Sequence, residues 1–139
     1  MSKIIYKKPG FLTVFFMSLA GKEWIDFKWQ DMYIEKKDIV EAHEKALNEA
    51  KINKVKTYVA STENAERIVL REDVLTWWAS WIPKMFNGGV KKIINVNKPS
   101  TDQKAALGKL CNKQWTKSVV GGIEVVDMDN PGAIRDEID

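Results

Sequence analysis

Residues 11–19 read FLTVFFMSL, and a strand built from them is apolar on both faces. Successive strand side chains point to opposite sides of a sheet, so Leu12, Val14 and Phe16 share one face while Phe11, Phe15 and Met17 share the other. Such a strand needs cover on both sides, which confines the chain to folds in which a sheet is packed between layers. Ala20-Gly21-Lys22 is a turn signal, and residues 23–29 (EWIDFKW) resume the alternation, with Ile25, Phe27 and Trp29 opposed to Trp24, Asp26 and Lys28. The two runs predict an antiparallel hairpin. Its second apolar face predicts cover from a partner subunit or from the chain's own tail. Phe11, Phe15, Met17 and Trp24 are therefore candidate oligomer-interface residues, and a homo-oligomer is expected.

Beyond the hairpin the pattern alternates between helix and strand. Ile39, Val40, Ala46, Leu47 and Ala50 recur at helical spacing behind Asp38 and Glu41, a pair with capping-box character, and predict a helix over 39–51. Residues 55–60 (VKTYVA) read as a strand and 61–69 as a polar loop. A helix starting near Arg71 carries Val74, Leu75, Trp77, Trp78, Trp81 and Ile82, and Pro83 predicts a kink or restart within it. Asn87-Gly88-Gly89 ends that helix. A strand over 91–97, a helix over 101–115 opened by Pro99-Ser100, and a last strand over 123–127 after Gly121-Gly122 complete the reading. The acidic tail, 129–139, reads as a short helix or a fraying end. The expected fold class is α/β, with a mixed, largely parallel sheet: an N-terminal hairpin followed by alternating strands and helices. With 139 residues and a core over about 11–127, one domain spanning 1–139 is expected.

Composition narrows the function classes. The excess of 22 Lys and Arg over 19 Asp and Glu is small and scattered, so no nucleic-acid footprint is expected. One Cys and one His cannot complete a structural zinc site, and no metal or cofactor is expected. Residues 1–10 have no apolar run behind their lysines, and the longest apolar stretch is too short to span a bilayer. A cytoplasmic protein without a membrane span is the expectation. The unusual feature is six Trp in a chain of this length.

No phosphate loop, dinucleotide-binding glycine fingerprint, nucleophile elbow or HExxH pattern is present, so the chain is not expected to be a conventional enzyme. His43 lies between Ile39 and Leu47 on the inner side of its helix and reads as packing or as support for another group. Cys111, one turn after Leu107, reads as a small core hydrophobe, and Glu72 and Asp73 as acidic residues complementing a helix dipole. Trp77 and Trp81, one turn apart, read as core, with a ligand cage as the alternative. In open α/β sheets ligands bind beyond the carboxyl ends of parallel strands. Here those ends carry Ser61, Thr62 and Asn64 after one strand and Asn97, Lys98, Ser100 and Thr101 after the next. With Trp77 these are the candidate ligand- or partner-binding residues, although Ser and Thr also serve simply as turn and cap formers.

From Lys56 to Val96 the chain shows a strand, a polar loop, a Trp77-Trp78-x-x-Trp81-Ile82-Pro83 helix and a Gly88-Gly89-Val90-Lys91-Lys92-Ile93 turn and strand. This segment resembles the small SpoIIAA-like proteins of the STAS-like superfamily, and the resemblance extends from about Phe11 to Asp127. It implies a mixed sheet with helices packed on it and a non-enzymatic regulatory or ligand-sensing role. Anti-sigma-factor antagonists of that superfamily carry a phosphorylatable serine at the start of the helix after the third strand. Leu70-Arg71-Glu72-Asp73 stands there in this chain, and the nearest hydroxyls are Ser61 and Thr62. The leading expectation is a regulatory or protein-interaction module. The alternative is a carrier or sensor of a small apolar or amphipathic ligand.

Overall fold

The computed structural model describes residues 2–97, 115–128 and 134–138. Among these, seven strands form a single sheet: β1 (Ser2–Lys8), β2 (Leu12–Leu19), β3 (Lys22–Trp29), β4 (Thr57–Ser61), β5 (Lys92–Val96), β6 (Trp115–Val120) and β7 (Ile123–Met128). The helices among the described residues are α1 (Lys36–Asn53), α2 (Glu72–Asn87) and the short α3 (Ile134–Glu137). Strands run in the order β1-β2-β3-β4-β5-β7-β6 across the sheet.

The α/β class stands, but the sheet is not largely parallel. Parallel pairing joins β3 to β4, β4 to β5 and β5 to β7, whereas β1–β2, β2–β3 and β6–β7 are antiparallel. The difference comes from two unforeseen strands, β1 and β6, each of which closes one edge by an antiparallel pairing. The lysines of β1 help keep that edge from recruiting another strand. At the opposite edge Gly121 and Gly122 both have positive φ (58° and 87°), the backbone of a two-residue hairpin turn, and Val120 pairs with Ile123 across it. The expected helix over 101–115 lies outside the described residues up to 114; Trp115 itself opens β6.

The hairpin read from residues 11–29 forms in the register Leu12↔Trp29 to Leu19↔Lys22. Helix α1 begins three residues earlier than its capping pattern suggested. Asp38 lies inside the first turn, 3.5 Å from Lys8 Nζ, and Glu35 occupies the N-cap position without a side-chain bond. Helix α2 passes through Pro83 as one element, without the restart that the proline suggested. Pro83 and Ala79, whose carbonyl the ring deprives of a partner, both lie on the exposed side of the helix, where water can take that role.

Two cores lie on opposite faces of the sheet. On one, α1 and α2 bury Leu12, Val14, Phe16, Ile25, Phe27 and Tyr58 with the inward residues of both helices. On the other, Trp24, Val59, Ile94, Val96, Val126 and Met128 form a second cluster, against which Ile134 and Ile138 of the tail pack. The Lys92 Nζ donates to the Glu137 carbonyl and lies 3.7 Å from its carboxylate, tying α3 to β5. Among the described residues no helix is long and apolar enough to cross a membrane.

Candidate functional site

Each element facing the first core delivers its side chains by its own period. On β3, β4 and β5 every second residue points toward the helices, which puts Phe27 and Trp29, Tyr58 and Ala60, and Ile93 and Asn95 on one floor. Helix α1 buries Ile39, Ala42, His43, Ala46, Leu47 and Ala50 at the i, i+3, i+4, i+7 spacing of an inward stripe, so His43 occupies a position where an apolar residue would be ordinary. Its alanines let the helix approach the sheet closely. Helix α2 turns Val74, Trp77, Trp78, Trp81 and Met85 inward by the same rule.

The large rings of α2 and the floor of the sheet do not close completely on one another. They leave a cavity of about 160 Å³. Its floor is Phe27, Trp29, Tyr58, Ala60, Ile93 and Asn95; its helical wall is Ile39, His43, Val74, Trp77 and Trp78. Val59 of β4, Met32, from the segment after β3, and Leu70, from the segment before α2, complete the lining. These two segments are joined by backbone bonds, Met32 N–H to the Arg67 carbonyl and Glu66 N–H to the Gln30 carbonyl, and by a double contact between the Arg67 guanidinium and the Asp31 carboxylate. That guanidinium, with its hydrogen bonds, holds the Asp31 pKa below the ordinary carboxylate value.

His43 is enclosed by rings. Its imidazole stacks on Phe27 at 4.5 Å between centroids, with Trp78 at 5.0 Å, Trp77 at 5.5 Å and Tyr58 at 6.3 Å. Burial among these apolar surfaces penalises the imidazolium and lowers the pKa from 6.5 to about 3, so the ring is neutral near pH 7. Burial likewise pushes the Tyr58 phenol well above its usual value, and it too is uncharged. Both residues keep a buried polar atom with no hydrogen-bond partner, His43 Nδ1 and Tyr58 Oη. Leaving such an atom unsatisfied costs about 1–3 kcal/mol. Both residues line the cavity, while these two atoms are themselves closed off from a molecule the size of water.

No protein-family model, no curated protein and no solved structure matches this chain. The site therefore rests on its own geometry. Of the strand-end candidates, Ser61 and Thr62 are buried and engaged within the chain: Ser61 Oγ donates to Asp26 at 2.9 Å, and Thr62 Oγ1 donates to the Val96 carbonyl at 2.7 Å. Asn64 and Asn97 are exposed, and Asn97 N–H donates to the Met128 carbonyl. Lys98, Ser100, Thr101 and Cys111 lie outside the described residues. Among the described candidates only Trp77 reaches the cavity, where it stacks on Trp81 at 5.3 Å.

The interface candidates divide as well. Trp24 is 5% exposed and belongs to the second core, Met17 packs against that core, Phe11 packs against the first, and Phe15 is half-buried beside Ile4 and Asp26. Among the described residues no group of three or more His, Cys, Asp or Glu side chains is arranged to hold a metal ion. Tyr58 escaped the sequence reading because an aromatic residue in a strand is ordinary core. His43 was visible as a polar residue on an apolar helical face, a signal that acquires meaning only when its neighbours are known.

Proposed function

We propose that this chain is a binding module, a carrier or sensor, for a small and mostly apolar molecule held between α1, α2 and the sheet. The supporting observation is an apolar cavity walled by Phe27, Trp29, Trp77 and Trp78, with the polar residues His43, Tyr58 and Asn95 among those that line it. Ligand pockets have this composition, apolar walls with a few polar groups that fix orientation. A bound molecule stabilises the folded state by mass action. The SpoIIAA-like relationship belongs to the same proposal, supported by the succession of strands and helices from β2 to β5.

The test is native mass spectrometry of protein isolated from cells, beside an Ala60→Leu variant in which the added side chain occupies the cavity. A small organic mass retained by the natural chain and absent from the folded variant is the expected result. Apo protein alone, in both, would count against the reading. A second reading, a regulatory module that meets a protein partner or another copy, is favoured by exposed apolar side chains, Ile68 and Val69 before α2 and Leu75 in its first turn. Sedimentation of Ile68→Ser/Val69→Ser beside the natural chain tests it: association that the double substitution abolishes supports it, and two identical monomers oppose it.

A further inference from the structure

Carbon dominates the lining of the cavity: among the described residues all but His43, Tyr58 and Asn95 are apolar or aromatic. Resting on the binding-module reading, we infer that the ligand class is an uncharged, apolar molecule of one aromatic ring, the size of benzene or toluene, held by contact with the surrounding rings and without a polar anchor. Size sets the first limit. A cavity of about 160 Å³ is comparable to the roughly 150 Å³ apolar cavities that accept benzene, and is well below the space that a drug-sized molecule needs.

The walls set the second limit. Phe27, Trp29, Tyr58, Trp77 and Trp78 all border the space, and aromatic rings favour stacked or edge-on contact with another ring. Two of these walls are already fixed by stacks of their own, Phe27 on His43 at 4.5 Å and Trp77 on Trp81 at 5.3 Å. A ring that enters therefore meets surfaces ordered beforehand, which lowers the entropy lost on binding.

Charge sets the third limit. No Lys, Arg, Asp or Glu lines the cavity among the described residues, and the titratable groups that do, His43 and Tyr58, are both neutral. A carboxylate would be buried without a cation at a heavy desolvation cost. A quaternary ammonium would gain the attraction of the ring faces, but no carboxylate in that lining offsets its lost hydration.

Hydrogen bonding separates apolar from polar among the neutral molecules. Tyr58 Oη and His43 Nδ1 are closed off from anything the size of water, and Asn95 already donates its amide nitrogen to Asp127 at 3.0 Å. A ligand hydroxyl would give up its bonds to water without these three atoms to replace them. A methyl group in the same place loses nothing and buries more apolar surface.

The experiment is a calorimetric titration of the natural chain with toluene, phenol, benzoate and tetramethylammonium, repeated on the folded Ala60→Leu variant. Toluene and phenol are similar in size and shape and differ in a methyl for a hydroxyl. Expected are saturable binding of toluene to the natural chain, phenol weaker by about tenfold, no detectable binding of either ion, and loss of toluene binding in Ala60→Leu. The comparison among probes needs only the natural chain, so it decides the ligand class even if the leucine variant does not fold. Phenol bound as tightly as toluene, or either ion bound as tightly, overturns the class while leaving the pocket in place. Toluene retained undiminished by the folded variant overturns the assignment to this cavity. Failure of all four probes overturns the class and the binding-module reading together.

Discussion

His43 is the only histidine in the chain, and it is enclosed by Phe27, Tyr58, Trp77 and Trp78 in the folded state. Burial lowers its pKa from 6.5 to about 3. The unfolded chain therefore binds a proton near pH 6.5 that the folded chain does not bind until about pH 3. Stability rises with pH wherever the unfolded state holds more protons, so the contribution is complete above pH 6.5 and is lost as pH falls toward 3. Each pH unit in that window corresponds to about 1.4 kcal/mol, which predicts a loss of about 2 kcal/mol by about pH 5 and on the order of 4 kcal/mol by the bottom of the window. Ordinary carboxylates titrate mainly below about pH 5, so the upper half of the window reports on this one ring. The assay is urea unfolding between about pH 8 and about pH 5, for the natural chain and for His43→Gln, which keeps a polar side chain but cannot take the proton. The natural chain should lose stability steeply below about pH 6.5, and His43→Gln should stay nearly flat. A flat profile for the natural chain, or the same slope in both, would refute the enclosed neutral imidazole.

Three further outcomes are expected. Because Tyr58 Oη has no partner in the unliganded protein, Tyr58→Phe should stabilise that form by about 1 kcal/mol in the same urea assay, and destabilisation would mean that the hydroxyl is satisfied. Arg67→Ala should release the contact to Asp31 and speed hydrogen exchange at the Met32 and Glu66 amides while leaving the strands protected; uniform exchange rates would show that the backbone bonds alone hold the two segments. Gly122→Ala, which puts a Cβ at positive φ and 2.9 Å from Phe86 Cε2, should cost about 1–3 kcal/mol by thermal unfolding, and a neutral result would place the β6–β7 turn away from α2.

Much of the local structure was legible in the sequence because it depends on neighbours close along the chain. Alternation across residues 11–29 specified the β2–β3 hairpin, and the spacing of Val74, Trp77, Trp78 and Trp81 specified the inward side of α2, whereas Leu75 of the same stripe is exposed. The acidic start of α2 was equally visible in Glu72 and Asp73. The edge strands were harder to see. The residues of β1 are rich in lysine and make sense only as a solvated edge, and β6 depends on a two-glycine turn whose significance emerges once β7 is paired with β5.

By itself the sequence determined the period of the β2–β3 hairpin, of β4, β5 and β7 and of the two long helices, and with it which of their residues could share a face. Tertiary structure alone decided which faces meet. The inward residues of α1 and α2 and of β3, β4 and β5 come from segments far apart in the chain, and the void among them depends on how large rings from four elements fit together. That fit brings His43 and Tyr58 to the same cavity, removes water from Nδ1 and Oη, and leaves both atoms without a partner, a condition of packing and solvation that spacing along a chain does not encode.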